Sequence, residues 1–120
     1  MKNIAALFAV DTTYGRWQEP VSRTGSIAEL NLVTGKDCTV QEVNDAFCKA
    51  AAAGPLKGVM DVLEGQWASS RIVADPHSSI IDLPLTVKEG HLLSIAAWYD
   101  NEWGFSNRLA EVAAFIAEKI

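Results

Sequence analysis

"AAWYDNEWGFSNRLAEVAAF", residues 96–115, decides how the rest of the chain is read. Its first residues are the aromatic end of an apolar strand. Phe105, Leu109 and Val112 in its later part, with Ile116 and Ile120 beyond it, recur every three to four positions, which predicts an amphipathic helix. Between the two lies a turn carrying Asp100 and Asn101. Either side chain can cap the helix by accepting from its free N–H groups. A helix N-terminus also faces bound anions and polar ligands favourably. The turn therefore reads both as a cap and as a point of contact with a ligand.

Working upstream, "HLLSIAAWY" (91–99) is the strand that leads into this turn, and Glu89-Gly90 is the hairpin turn before it. Residues 80–88 alternate, with Ile81, Leu83, Leu85 and Val87 on one face and Asp82, Thr86 and Lys88 on the other. Pro84 marks an edge position or a bulge in that strand. "GVMDVLE" (58–64) is a short strand. Thr39 followed by Glu42 is a capping box. Val40, Val43, Phe47 and Ala50 form the apolar stripe of the helix it opens, and Gly54-Pro55 ends that helix. Residues 26–34 alternate as a half-buried strand, with Ala28, Leu30 and Leu32 inward. Residues 4–10, IAALFAV, suit a buried strand, with a turn at 11–16 and a polar loop at 17–26. The expected fold is α+β: a mostly antiparallel sheet with two main helices on one face.

The chain has 120 residues, enough for one modest core. Its net charge of −5 opposes nucleic acid and anionic membrane surfaces, and no basic block offsets it. No apolar run approaches the ~20 residues of a membrane span. The opening "MKNIAALFAVD" is interrupted by Asp11 and is followed by no small-x-small cleavage pattern, so a cytoplasmic location is expected. Cys38 and Cys48 make no disulfide framework, and with His77 and His91 they match no zinc spacing, so no metal is expected. Cys38 precedes a helix, where a thiol pKa can fall. The G-x-G-x-x-G dinucleotide loop, the P-loop and G-x-S-x-G are all absent. "SRTGS" (22–26) offers hydroxyls and one Arg to a phosphate, or is simply a solvated turn.

"WYDNEWGFSNR" (98–108) resembles the C-terminal signature of phosphorylating glyceraldehyde-3-phosphate dehydrogenases, W-Y-D-N-E-x-G-Y-S-N-R/K. "TVQEVNDAFCKAAAAGPLKGV" (39–59) and "ASSRIVADPHSSIID" (68–82) resemble two further segments of that family, in the same order, so the likeness spans 26 to about 118. "LFAVDTTYGRW" (7–17) is similar to a segment of the family's nucleotide-binding domain, "LLKYDSTHGRF". The family separates that segment from "SIAELNLV" by a long stretch, whereas about ten residues do so here. The resemblance thus divides the chain into a nucleotide-domain remnant at 1–20 and a catalytic-domain-like fragment at 21–120, internally deleted around Trp17 to Pro20.

The resemblance implies oxidation of glyceraldehyde 3-phosphate with NAD or NADP and inorganic phosphate in the intact family. It also implies that this chain lacks the machinery. The family's nucleophilic Cys (S-C-T-T-N) and its activating His fall in the missing stretch. Neither Cys38, Cys48, His77 nor His91 stands in the matching context, so no catalytic residue is assigned. The family's phosphate-binding Arg would fall near Gln18 or Glu19, which makes Arg23 a displaced candidate. Two cofactor positions carry over: Asn101, matching the Asn that holds the nicotinamide carboxamide, and Phe105, at an aromatic position that is usually Tyr. The implied partners are further copies of the chain, or a family chain supplying the missing half. The alternative to a dehydrogenase remnant is a non-catalytic interaction or oligomerisation module, with Ile81, Leu83, Leu85 and Val87 as a candidate face. A redox-sensitive thiol at Cys38 or Cys48 is the third possibility.

Overall fold

The computed structural model describes residues 25–65 and 71–120. The strand expected at 4–10, the 1–20 segment, most of the "SRTGS" loop and Arg23 lie outside those residues. Within them the order is β1 (Ser26–Val33), α1 (Val40–Ala52), β2 (Met60–Leu63), β3 (Ser79–Asp82), a 3-10 turn (Leu83–Leu85), β4 (Val87–Glu89), β5 (Leu92–Tyr99) and α2 (Trp103–Ala117). The class is α+β.

β5 organises the sheet. It pairs antiparallel with β1, with β3 and with β4, and β2 then adds parallel to β3. The sheet is therefore mostly antiparallel with one parallel edge. Alternation along β5 sends Leu93, Ile95 and Ala97 to one face, where they meet Leu32, Ile81, Val43, Phe47 and Met60 beneath α1. The opposite face carries a smaller cluster of Leu63, Ile72 and Ile80, covered by Trp98.

α1 forms as its sequence dictates. Thr39 Oγ1 accepts from Glu42 N at 3.1 Å, and Glu42 Oε2 accepts from Thr39 N at 2.8 Å, completing the capping box. Val43 is wholly buried and Phe47 nearly so, and the chain leaves the helix through Gly54 at φ +85°.

Two expectations are corrected here. Residues 80–88 are not one strand. Pro84 has no N–H to donate to a ladder, and the chain breaks into the 3-10 turn around it. The break also rotates the later residues. Leu85 and Val87 are 47% and 60% exposed, while Asp82 and Thr86, expected outside, are buried. Ile81 and Leu83 do face the core. The hairpin turn shifts by one, to Gly90-His91, because Glu89 pairs with Leu92.

The second correction concerns the helices. α1 lies on the sheet, but α2 does not lie beside it. Gly104 is the only buried residue of α2, and Leu109, Val112 and Ile116 are all more than half exposed. The amphipathic pattern formed the helix, yet the described chain gives its apolar stripe nothing to pack against.

Candidate functional site

The turn from β5 into α2 is built around Asp100. Its Oδ1 accepts from Glu102 N at 3.1 Å and from Trp103 N at 2.9 Å, and its Oδ2 accepts from Ala74 N at 2.9 Å. Glu102 occupies the formal N-cap position but contributes no side-chain bond. Of the two capping candidates in the sequence, Asp100 is therefore the cap. Its pKa is held below the ordinary aspartate value, first by the Ala74 N–H and then by the Trp103 N–H, against a smaller opposing effect of desolvation. The same carboxylate clamps the 71–78 loop onto the turn, where Ala74 adopts a left-handed φ of +63°.

With Asp100 serving as the cap, Asn101 serves another contact. The antiparallel register sets Ser26, at the start of β1, opposite Tyr99, at the end of β5. Ser26 is buried, and its Oγ donates to Asn101 Oδ1 at 3.0 Å. Asn101 itself is exposed. Its carbonyl is thus pinned by the sheet while its amide NH₂ is the donor left to the surroundings. Phe105 follows on the first turn of α2 with 70% of its surface open. An anchored amide and an open aromatic ring thus belong to the same strand-to-helix turn.

Further residues fix this arrangement. A Cβ on Gly104 would lie 2.7 Å from His77 O, so only glycine lets α2 approach the loop this closely. Arg108 Nη1 donates to Gly58 O at 3.3 Å and to Ser78 Oγ at 3.4 Å. His77 Nδ1 donates to Asp75 Oδ1 at 2.7 Å. Sequence reasoning missed Ser26, Ala74, Gly104 and Arg108 as site-building residues. Gly104 and Arg108 stand inside the quoted signature. Ser26 and Ala74 carry no local signal, because strand register and loop closure bring them in.

The other sequence candidates lie apart from this turn. Cys38 and Cys48 are unpaired and half-buried, and both pack against the α1-side core. His91 Nδ1 donates to Thr34 O at 2.9 Å, which ties the end of β1 to the hairpin. Among the described residues no group of three or more His, Cys, Asp or Glu comes together as a metal site, and no helix is long and apolar enough to cross a membrane. The inner face of β1 and β5 leaves an open apolar groove of about 560 Å³ between Ala28, Leu30, Phe47, Ile81, Ile95 and Tyr99.

Comparison with known proteins gives this geometry its context. The family model described as "Glyceraldehyde 3-phosphate dehydrogenase, C-terminal domain" matches residues 18–101. The glyceraldehyde-3-phosphate dehydrogenase of Mycolicibacterium smegmatis is 43% identical over 97 residues, which are 81% of this chain and 28% of that protein. The Kitasatospora aureofaciens enzyme of the same name is 47% identical over 95 residues, 79% of this chain and 28% of the relative. Glyceraldehyde-3-phosphate dehydrogenase 2 of Streptomyces arenae is 40% identical over 97 residues, 81% of this chain and 29% of the relative. The chain thus spans less than a third of the length of the relatives it matches. With most of its residues matched by the family's C-terminal domain and relatives 40–47% identical over about four-fifths of its length, the chain belongs to the glyceraldehyde-3-phosphate dehydrogenase family.

Proposed function

We propose that this chain retains the nicotinamide-facing corner of a phosphorylating aldehyde dehydrogenase and does not turn over substrate alone. The observation that carries this reading is the anchoring of Asn101. Ser26 holds its carbonyl, Asp100 fixes the backbone beside it, and Phe105 follows on the first turn of α2 with its ring open. Those contacts suit the carboxamide and ring of a bound NAD or NADP. They do not supply a nucleophile or a base. Cys38 precedes α1 and Cys48 lies on it, both packed against the main core, and the two imidazoles are engaged with Asp75 and with Thr34 O. The likeness of "LFAVDTTYGRW" to a nucleotide-domain segment supports reading residues 1–20 as a remnant of that domain, next to the C-terminal-domain match that begins at residue 18. Arg23 remains a candidate contact for substrate phosphate.

One amide and one ring give little binding energy against the cost of immobilising a dinucleotide. Calorimetric titration with NAD and with NADP tests the corner directly. Weak saturable binding, lost on Asn101→Ala, is the expected result; heat unchanged by Asn101→Ala would reject the assignment. Incubation with glyceraldehyde 3-phosphate, NAD and phosphate is expected to yield no NADH above a heat-killed control. Turnover by this chain alone would reject the reading as a remnant.

A second reading, a non-catalytic interaction module, is favoured by a different observation. The terminal helix exposes its apolar stripe while the sheet leaves an apolar groove open.

A further inference from the structure

We infer that the 71–78 loop braces the Asn101 turn, and that Asp75, His77 and Ala74 are positioning residues for an amide with which they share no hydrogen bond. This inference rests on the reading of Asn101 as a nicotinamide contact and names what governs that contact. The loop is anchored at both ends. Ile72 is wholly buried against Leu63 and Ile80, and Ser78 N donates to Val59 O at 2.7 Å just ahead of β3. Between these points the chain closes on itself. Asp75 Oδ1 accepts from His77 N at 2.9 Å and from His77 Nδ1 at 2.7 Å. One carboxylate oxygen thus holds both the backbone and the ring of a residue two positions on. The two side chains are largely covered, with 24% of His77 and 23% of Asp75 exposed.

The closed loop carries strain at Ala74. Asp75 N donates to Ile72 O at 3.1 Å, which makes a turn of residues 72–75. Ala74 is its third residue, at φ +63°. A positive φ at that place calls for glycine, because a Cβ crowds the following carbonyl. Ala74 keeps the conformation because its N–H is taken from outside the loop, by Asp100 Oδ2 at 2.9 Å. The strain is therefore held by the same carboxylate whose other oxygen caps α2.

The loop meets the strand-to-helix segment at two further places. His77 O lies 2.7 Å from where a Cβ on Gly104 would stand, and Ser78 Oγ accepts from Arg108 Nη1 at 3.4 Å. Gly104 and Arg108 are one helical turn apart on the side of α2 that faces the loop, and Asp100 precedes them by the same spacing. Asn101 and Phe105 each directly follow one of these contacts. Whatever sets the loop therefore sets the backbone that carries both. Ser26 fixes the outer end of the Asn101 side chain, and the braced backbone fixes its root. When the loop opens, Ala74 leaves Asp100, His77 O draws back from Gly104, and Ser26 alone holds the amide. A ligand bound through Asn101 and the closed loop then favour one another, because linked equilibria are reciprocal.

Nuclear magnetic resonance on the ¹⁵N-labelled full chain tests this without nucleotide. The probes are the side-chain NH₂ pair of Asn101 and the backbone amide of residue 74, with the amides of α1 as internal control. Asp75→Ala removes the acceptor of both His77 donors. It should speed exchange at residue 74 by about tenfold, the scale of one lost net hydrogen bond, and move the Asn101 pair toward the shifts of a free asparagine. Asp75→Asn keeps an oxygen that accepts both bonds and should restore most of each signal. Ala74→Gly should act the other way and slow exchange at residue 74 by about fivefold, since glycine takes a positive φ without strain. Asn101 resonances unmoved in Asp75→Ala overturn the inference, because the loop would then order only itself. So does loss of protection spread evenly into α1, and so does faster exchange in Ala74→Gly, which does not depend on the fate of the Asp75 variant. Calorimetric titration with NAD separates this inference from the reading beneath it. Binding weakened about threefold or more in Asp75→Ala is expected, a modest coupling of linked sites. Equal affinity in the two chains overturns the inference and leaves Asn101 as a contact. No binding by either chain rejects the nicotinamide reading, while the nucleotide-free spectra still decide whether the loop positions the amide.

Discussion

Asp100 serves three backbone N–H groups from two separate segments, which makes it the residue on which the turn depends. Its folded pKa is lowered below the unfolded value near 4. A depressed carboxyl contributes stability that is complete above the unfolded pKa and is lost as pH falls through the folded one. Asp100→Asn should therefore flatten the acid limb of a Tm–pH curve below about pH 4. At neutral pH Asp100→Ala should cost about 0.5–2 kcal/mol, the range for a lost helix cap. An unchanged acid limb would show that the turn is held by other contacts. Trp98 gives a second test. Its Nε1 donates to Asp82 Oδ2 at 2.8 Å, and Asp82 is buried. Trp98→Phe keeps the ring over Ile72 and Ile80 but leaves that carboxylate oxygen without its donor, at a cost of about 1–3 kcal/mol. Chemical denaturation would read this as a lower midpoint with an unchanged slope.

At the scale of elements, α1 and α2 show how differently two amphipathic helices can be used. α1 buries Val43 and Phe47 and closes the main core. α2 is attached by its first two turns and exposed beyond them. Gly104→Ala should expose the difference. Alanine favours a helix interior by about 1 kcal/mol over glycine, yet its Cβ would meet a backbone oxygen at 2.7 Å, which no rotamer change relieves. The expected result is a helix displaced from the loop, with faster amide exchange at residues 103–108 and at Ala74, and little change in α1 and β5. Uniform protection throughout would show that the loop yields instead. The 80–89 segment carries a related lesson. Its alternation of apolar and polar residues is that of a strand, but a residue with no N–H interrupts it. The pleat restarts out of phase, and Asp82 and Thr86 turn inward.

For the whole molecule, the sheet hangs on β5, with the candidate site at one end of that strand and the hairpin at the other. Among the described residues this arrangement leaves the inner face of β1 partly open and the apolar stripe of the terminal helix exposed. Truncation after residue 104 tests how much of the fold depends on α2. The body should still melt cooperatively with its core intact, because the buried clusters contain no residue beyond Trp98. Loss of the cooperative transition would mean that the helix is integral to the fold.

By itself the sequence determined the elements that rest on local physics. The Thr39–Glu42 capping box fixed where α1 starts. The two-residue period marked β1, the apolar run after Gly90 marked β5, and the helical period marked α2. The signature around Asn101 was legible too, because its residues are contiguous. Only the tertiary structure decided what each polar group in that signature does. Asp100 rather than Asn101 caps α2 because the 71–78 loop brings Ala74 to the same carboxylate. Asn101 is held by the sheet instead, because strand register carries Ser26, 75 positions away, to its carbonyl. Periodicity records which side of an element is apolar, but what that side meets depends on chain segments far apart in sequence. For that reason the stripe of α2 could be read from its spacing, and its exposure could not.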